Sequence, residues 1–315
     1  MPFETVGSPM LWAGFIVFVL AMLAIDLGVF HKKAHEVSLK EAAAWSAVWV
    51  ALAITFNIGV YVWFGPVRAL EFTTGYLIEK ALAVDNIFVF VVIFTAFAIP
   101  AVYQHRVLFW GVLGALIMRA AFILAGGAFL QRFHWAIYVF GAILAVTGVK
   151  LLLQRNQEIH PERNPIVKVF QKLFPVTHEL EGDRFTVLRG GRRYVTPLLL
   201  ALVAVEVTDL IFAVDSIPAI FAITSDPFIV FTSNIFAILG LRSLYFLLAG
   251  VITRFVYLKV GLAMVLIFVG AKMLLMDIYK VPIAASLAII AGILGLSVVA
   301  SMLTGPSADQ KPAEG

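Results

Sequence analysis

Long, nearly uninterrupted apolar runs separated by short polar breaks make up most of the chain. A helix that crosses hydrocarbon needs about 20 mostly apolar residues. Nine stretches meet that length: 10–30, 42–64, 72–99, 107–130, 134–153, 195–222, 227–252, 256–277 and 281–303. The runs are continuous and do not alternate, so they do not read as strands of a membrane barrel. The pattern predicts an all-α integral membrane protein with about nine transmembrane helices. Alternate loops differ in charge. One set, with the C-terminal tail, carries Lys32, Lys33, Arg106, Arg155, Lys168, Arg184, Arg192, Arg193, Arg254 and Lys259, among others. The opposite set carries only Arg68, Arg132 and Lys280. Basic loops stay on the cytoplasmic side, which predicts the N-terminus outside and the C-terminus in the cytoplasm of a cell whose inner membrane holds the chain.

The longest polar break is 154–194, expected as a partly ordered cytoplasmic linker with a short amphipathic helix at 166–174. The tail 304–315 (from Gly305, GPSADQKPAEG) has the composition of a disordered segment. The N-terminal residues before Pro9 lack a basic region, so the first apolar run is expected to be retained. Of the 315 residues 62% are hydrophobic and 13% charged, against about 45–50% and 25% in soluble domains. Lipid is the solvent such a chain requires. The net charge of +4 resides in loops and does not suggest nucleic acid. There is no cysteine, which excludes disulfides and thiolate metal sites. No nucleotide-binding glycine loop occurs, and neither an enzymatic activity nor a bound cofactor is expected.

A duplicated motif changes the picture most. Residues 79–86 read EKALAVDN and residues 209–216 read DLIFAVDS. A shift of 130 places Glu79 on Asp209, Asp85 on Asp215 and Asn86 on Ser216. Further on, Arg132-Phe133 matches Arg254-Phe255, and Gly148 and Lys150 match Gly270 and Lys272, each at a shift of 122. The two units, 72–153 and 195–277, hold three apolar stretches each. An odd number of spans makes the two copies enter the membrane in opposite directions. An inverted three-plus-three repeat is therefore expected, and such repeats place a substrate site at their interface near the bilayer midplane.

Charged groups are costly inside spans, roughly 2.5–3.5 kcal/mol each, yet the motif spans hold Glu79, Lys80, Asp85, Glu206, Asp209 and Asp215. Helical rotation of 100° per residue puts Glu79 and Asn86, seven apart, on one face. Asp209 and Ser216 do likewise, Asp85 and Asp215 lie one position aside, and Glu206 sits a turn before Asp209. Each copy thus offers two carboxylates and a neutral oxygen toward a common interface. Oxygen-only donors suit Mn²⁺, Mg²⁺ or Ca²⁺. Thr73, Thr74 and Thr208 could contribute further oxygens, and Pro218 removes a backbone bond from the motif helix. Arg119 and Arg242, in the following span of each copy, are candidate counter-ions, as is Lys80. The alternative is that the carboxylates pair with these cations and only fix helix packing. Glu206 has Tyr76 at its matching position and so stands outside the duplication.

The stretches GYLIEKALAVDNIFVF (75–90), EVTDLIFAVDSIPAIFAIT (206–224) and DPFIVFTSNIFAILGLRSLYFLLAG (226–250) resemble the TerC family of integral membrane proteins. Met10–Phe15 with Ala24-Ile25-Asp26 is similar to its Alx subgroup. The resemblance covers about 8–303. It implies manganese export, a likeness to the lysine-exporter superfamily with its inverted repeats, and acidic-motif positions at Glu79, Asp85, Asn86, Glu206, Asp209, Asp215 and Ser216. The expected function is a secondary transporter exporting Mn²⁺ from the cytoplasm, with metal–proton antiport a coupling that the carboxylates would permit. Asp85 and Asp215 would be the central ligands. The expected partners are a divalent metal ion as substrate and the lipid bilayer, and the span surfaces suit a monomer or a dimer. The competing reading is a non-transporting scaffold or metallation partner acting through the linker. Export of an amino acid or an oxyanion is a weaker option, since carboxylates make a poor anion site.

Overall fold

The computed structural model describes residues 5–30, 38–133, 135–153, 169, 173–177, 179–249, 257–279 and 281–304. The side chains of 26–30, 85, 88, 127, 128, 130, 131 and 215 lie outside that description. The described helices are α1 (Pro9–Phe30), α2 (Leu39–Ala96), α3 (Ala101–Arg132), α4 (Ala136–Leu153), α5 (Pro197–Phe221), α6 (Pro227–Leu239), α7 (Leu241–Leu248), α8 (Leu258–Leu274) and α9 (Ile283–Thr304). Between α4 and α5 two short strands, β1 (Thr186–Arg189) and β2 (Arg192–Val195), form an antiparallel hairpin.

Among the described residues, α3, α4, α5 and α9 are each long and apolar enough to cross a membrane. The pair α6 and α7, bent by 41° at Gly240, makes a fifth candidate. The remaining helices fall over the other apolar stretches of the sequence. Helix α2 covers two of them. Gly65, at φ 87° and ψ 176°, breaks it into two arms, and Pro66 begins the second. Glycine tolerates that backbone, and proline suits the first turn of a helix, where its missing N–H is not needed.

Hydroxyls inside the helices find acceptors on their own backbones, which is how a helix satisfies Ser and Thr without water. Thr55, Thr74, Thr208, Thr232 and Ser297 each donate to the carbonyl four residues earlier, at 2.7–2.8 Å. Rings of Trp12, Phe15, Phe56, Phe72, Phe228, Phe231 and Phe236 pack α1 and both arms of α2 onto α6, with Phe56 and Phe236 centred 4.9 Å apart.

Helices α4 and α8 meet through small residues, as expected where lipid replaces water and backbone proximity drives association. A Cβ on Gly148 would lie 2.7 Å from the Ala263 carbonyl and from Ile267. One on Gly270 would lie 2.6–2.7 Å from Ala145 and the Gly141 carbonyl. Shifting 141, 145 and 148 by 122 gives 263, 267 and 270, so the two contacts are reciprocal.

The linker holds more structure than its composition suggests. Gly190 and Gly191, at φ 57° and 79°, make the two-residue turn that hairpins favour. Arg106 at the start of α3 pairs with Asp183, and its guanidinium lies 5.1 Å from the Phe185 ring centre. Thr196 donates to the carbonyls of Arg184 and Phe185, tying the hairpin to the first turn of α5. Nearby, the carboxylates of Glu179 and Glu181 hold the exposed Arg189 guanidinium protonated above its ordinary range. The helix expected at 166–174 falls almost entirely outside the described residues, as does the tail.

Candidate functional site

The motif-bearing segments are the second arm of α2 and helix α5. They cross so that the guanidinium of Arg119, carried by α3, enters between them. Arg119 is 1% exposed. Its Nη2 donates to Asp209 Oδ1 at 3.1 Å and its Nε to Oδ2 at 3.5 Å. Its Nη1 donates to Glu79 Oε1, to Ser216 Oγ at 3.3 Å and to Asn234 Oδ1 at 3.2 Å. Asn234, on α6, returns a bond to Glu79 Oε2 at 3.1 Å. Asn86 donates to Asp209 Oδ1 at 3.4 Å. Glu79, Asn86, Asp209, Ser216 and Asn234 are all at most 3% exposed. Burying two carboxylates in hydrocarbon is tolerable only with charge and hydrogen bonds supplied on the spot, and one arginine fork supplies most of both.

The contacts across the site are reciprocal in the way those of α4 and α8 are. Asn86 reaches Asp209, and Ser216 interacts with Glu79. Under the shift of 130, Asn86 becomes Ser216 and Asp209 becomes Glu79, so each copy's distal residue meets the other's proximal carboxylate. That is the contact pattern of a two-fold axis, here within one chain.

The other expected residues sit as follows. Asp85 and Asp215 lie on α2 and α5, next to Asn86 and Ser216, but their side chains are outside the described residues. Glu206 is half-buried against α3, its carboxylate where a side chain on Gly114 would stand, 2.0 Å from that Cβ. Lys80 points away from the carboxylates. It donates to the Ala237 carbonyl at 3.1 Å, and its Nζ lies 5.8 Å from the Tyr76 ring centre. Ala237 is in the last turn of α6, where carbonyls run out of helical partners and a cation is favoured. Arg242 is buried on α7. Thr74 and Thr208 bond only their own helices in the described contacts, and Thr73 also accepts from Asn57 at 2.8 Å. Pro218 does not open α5, which ends three residues later at Phe221. Among the described residues, no three acidic or histidine side chains converge closely enough to hold a metal ion.

Among the described residues, the buried polar groups outside the motif reading include a further amide and a further carboxylate. Asn234 is one, signalled only as a lone amide in an apolar run. Glu71 is the other: 6% exposed, paired with Arg68 at 2.8 Å and accepting from Thr224 at 2.8 Å.

Known proteins resemble this chain over most of its length. The family model described as "Integral membrane protein TerC family" matches residues 64–309. The membrane protein STKORF319 of Myxococcus xanthus is 60% identical over 99% of this chain and 98% of its own. Alx of Escherichia coli K12, named as a proposed membrane-bound redox modulator, is 49% identical over 94% of this chain and 95% of its own. A Rickettsia felis membrane protein is 43% identical over 93% of this chain and 98% of its own. No solved structure matches. With a family match across most of its length and relatives this similar from end to end, the chain belongs to the TerC family of integral membrane proteins.

Proposed function

We propose that this protein is a secondary transporter that carries a hard divalent cation, Mn²⁺ first, out of the cytoplasm. The observation behind this reading is the buried cluster built from equivalent positions of a duplicated motif. Glu79 and Asp209 meet at one arginine, and Asn86 and Ser216 cross to the opposite copy. The reciprocal glycine contacts of α4 and α8 support the same internal two-fold, hence an inverted repeat of three helices each across nine crossings. A site on such an axis is shared by two halves that can rock against each other, the geometry of alternating access. Asp85 and Asp215, one residue from the crossing amide and hydroxyl, are the proposed central ligands. Glu79, Asp209, Asn86, Ser216 and Glu206 complete the oxygen donors. The choice of Mn²⁺ and the outward direction come from the family resemblance, as does placement in the inner membrane; the N-out, C-in orientation rests on the loop charges.

The test is uptake of radiolabelled Mn²⁺ into everted vesicles by wild type, Asp85→Asn and Asp215→Asn, with and without a pH gradient. Uptake that both substitutions abolish is the expected result, and dependence on the gradient identifies proton exchange. Wild-type uptake by both variants would overturn the reading.

The name carried by the Alx relatives favours a second reading, a modulator of redox state that works without transport. This chain has no cysteine, so it cannot exchange thiols itself and would act through a bound metal or a partner. The folded hairpin at 186–195 is the surface such a partner would use. Deleting it abolishes function on this reading and spares vesicle uptake on the first.

A further inference from the structure

We propose that Arg119 is a tethered counter-cation that an incoming divalent ion must displace, and that this competition sets the site's preference for divalent over monovalent cations. The inference rests on the transporter reading and concerns how that same site is occupied. Its guanidinium holds the place between the two equivalent carboxylates, bonded to Glu79 on one side and bidentate to Asp209 on the other. With both carboxylates ionised, the three groups carry a net charge of −1. A second, independent observation shows that the cluster is not complete. Asn86 Oδ1 is an acceptor on a side chain 1% exposed, beside Asp209, and has no donor among the described residues. A buried carbonyl oxygen without a donor is costly, and a cation bound next to Asp209 would satisfy it.

The discrimination follows from charge and geometry. A monovalent ion brings the same charge as the guanidinium but none of its directed N–H donors, so it gains nothing by the exchange. A divalent ion doubles the Coulomb attraction to each carboxylate and takes oxygens in its inner shell. The displaced guanidinium is not left bare. Nη1 already donates to Ser216 Oγ and Asn234 Oδ1, both neutral, and can keep those bonds while it releases the carboxylates. Lysine could not substitute fully, because a point charge does not bridge two carboxylates as a planar fork does.

Full-length protein in nanodiscs provides the test. Wild type, Arg119→Gln, Arg119→Lys and Asn234→Ala are titrated with MnCl₂, and separately with NaCl, while binding and the melting temperature are followed. The expected result for Arg119→Gln is a lower melting temperature in chelator, recovery with Mn²⁺ but not Na⁺, and Mn²⁺ binding at least about tenfold tighter than wild type. Arg119→Lys falls between the two. If Arg119→Gln does not insert, Arg119→Lys keeps the cation without its planar fork, and tighter Mn²⁺ binding than wild type is again expected; Asn234→Ala, which takes an acceptor from the displaced guanidinium, binds Mn²⁺ no more tightly than wild type. Equal or weaker binding in both Arg119 variants, tighter binding in Asn234→Ala, or equal rescue by Na⁺, overturns the competition. When wild-type vesicles still take up Mn²⁺, that outcome leaves the transporter reading standing. When no variant binds Mn²⁺ and wild type does not transport it, both fall.

Discussion

The two motif-bearing halves start from the same plan and end differently. In the first, α3 runs unbroken for 32 residues and carries Arg119 into the centre. Its counterpart in the second half is split at Gly240 into α6 and α7, bent by 41°. The break exposes the last carbonyls of α6, and Lys80, a residue of the first half, donates to one of them. Position 210, which matches Lys80, is a leucine. The starts differ as well. Helix α3 follows Pro100 with no side-chain cap, whereas Asp226 caps α6 and also accepts from Thr5 and the backbone of Val6. What remains symmetric is the contact surface: the crossing of α2 with α5 and the glycine faces of α4 and α8. The equivalent positions thus keep reciprocal contacts, while the cations and the helix break differ between the two halves.

The comparison is broken most severely at Arg119. Arg119→Leu strands two buried carboxylates, and a loss of about 3–5 kcal/mol is expected, read as a collapse of the melting temperature in detergent. An unchanged melting temperature would mean that the carboxylates have other partners. The symmetric surface gives the next test. Gly148→Val and Gly270→Val each force a side chain into backbone atoms, and each should cost about 1–3 kcal/mol. The sharper expectation is equality: clearly different losses would show that the α4–α8 contact is not a working two-fold. The smallest effect is expected at the asymmetric cap. Asp226→Ala should cost about 1–2 kcal/mol, within the range for lost N-caps. It should also free residues 5–8, measured as faster proteolysis of the N-terminus. Undiminished protection would show that the Trp12 and Phe15 rings alone hold α1 in place.

The helices and the duplicated motif could be read directly. Hydrocarbon demands long apolar runs and punishes charge, so the nine stretches and the unusual residues Glu79, Asp85, Asp209 and Asp215 stand out against a monotonous background. Gly65-Pro66 and the Gly190-Gly191 turn were legible in principle, because glycine and proline act locally. The hairpin's strands do not stand out in the sequence, because they are only four residues long and the second opens on two arginines.

Length, apolarity, helix positions and the internal duplication therefore belong to the sequence alone, since each follows from local composition against a lipid solvent. The partnership of Glu79, Asp209 and Arg119 belongs to the tertiary structure. So do the entry of Asn234 into it, the diversion of Lys80 to the end of α6 and the placing of Glu206 over Gly114. Hydropathy constrains which residues lie within the membrane, but not how each helix is rotated or how deeply it sits against its neighbours. A shift of one residue turns a side chain by 100° and moves it 1.5 Å along the helix, enough to make or lose every hydrogen bond in the cluster.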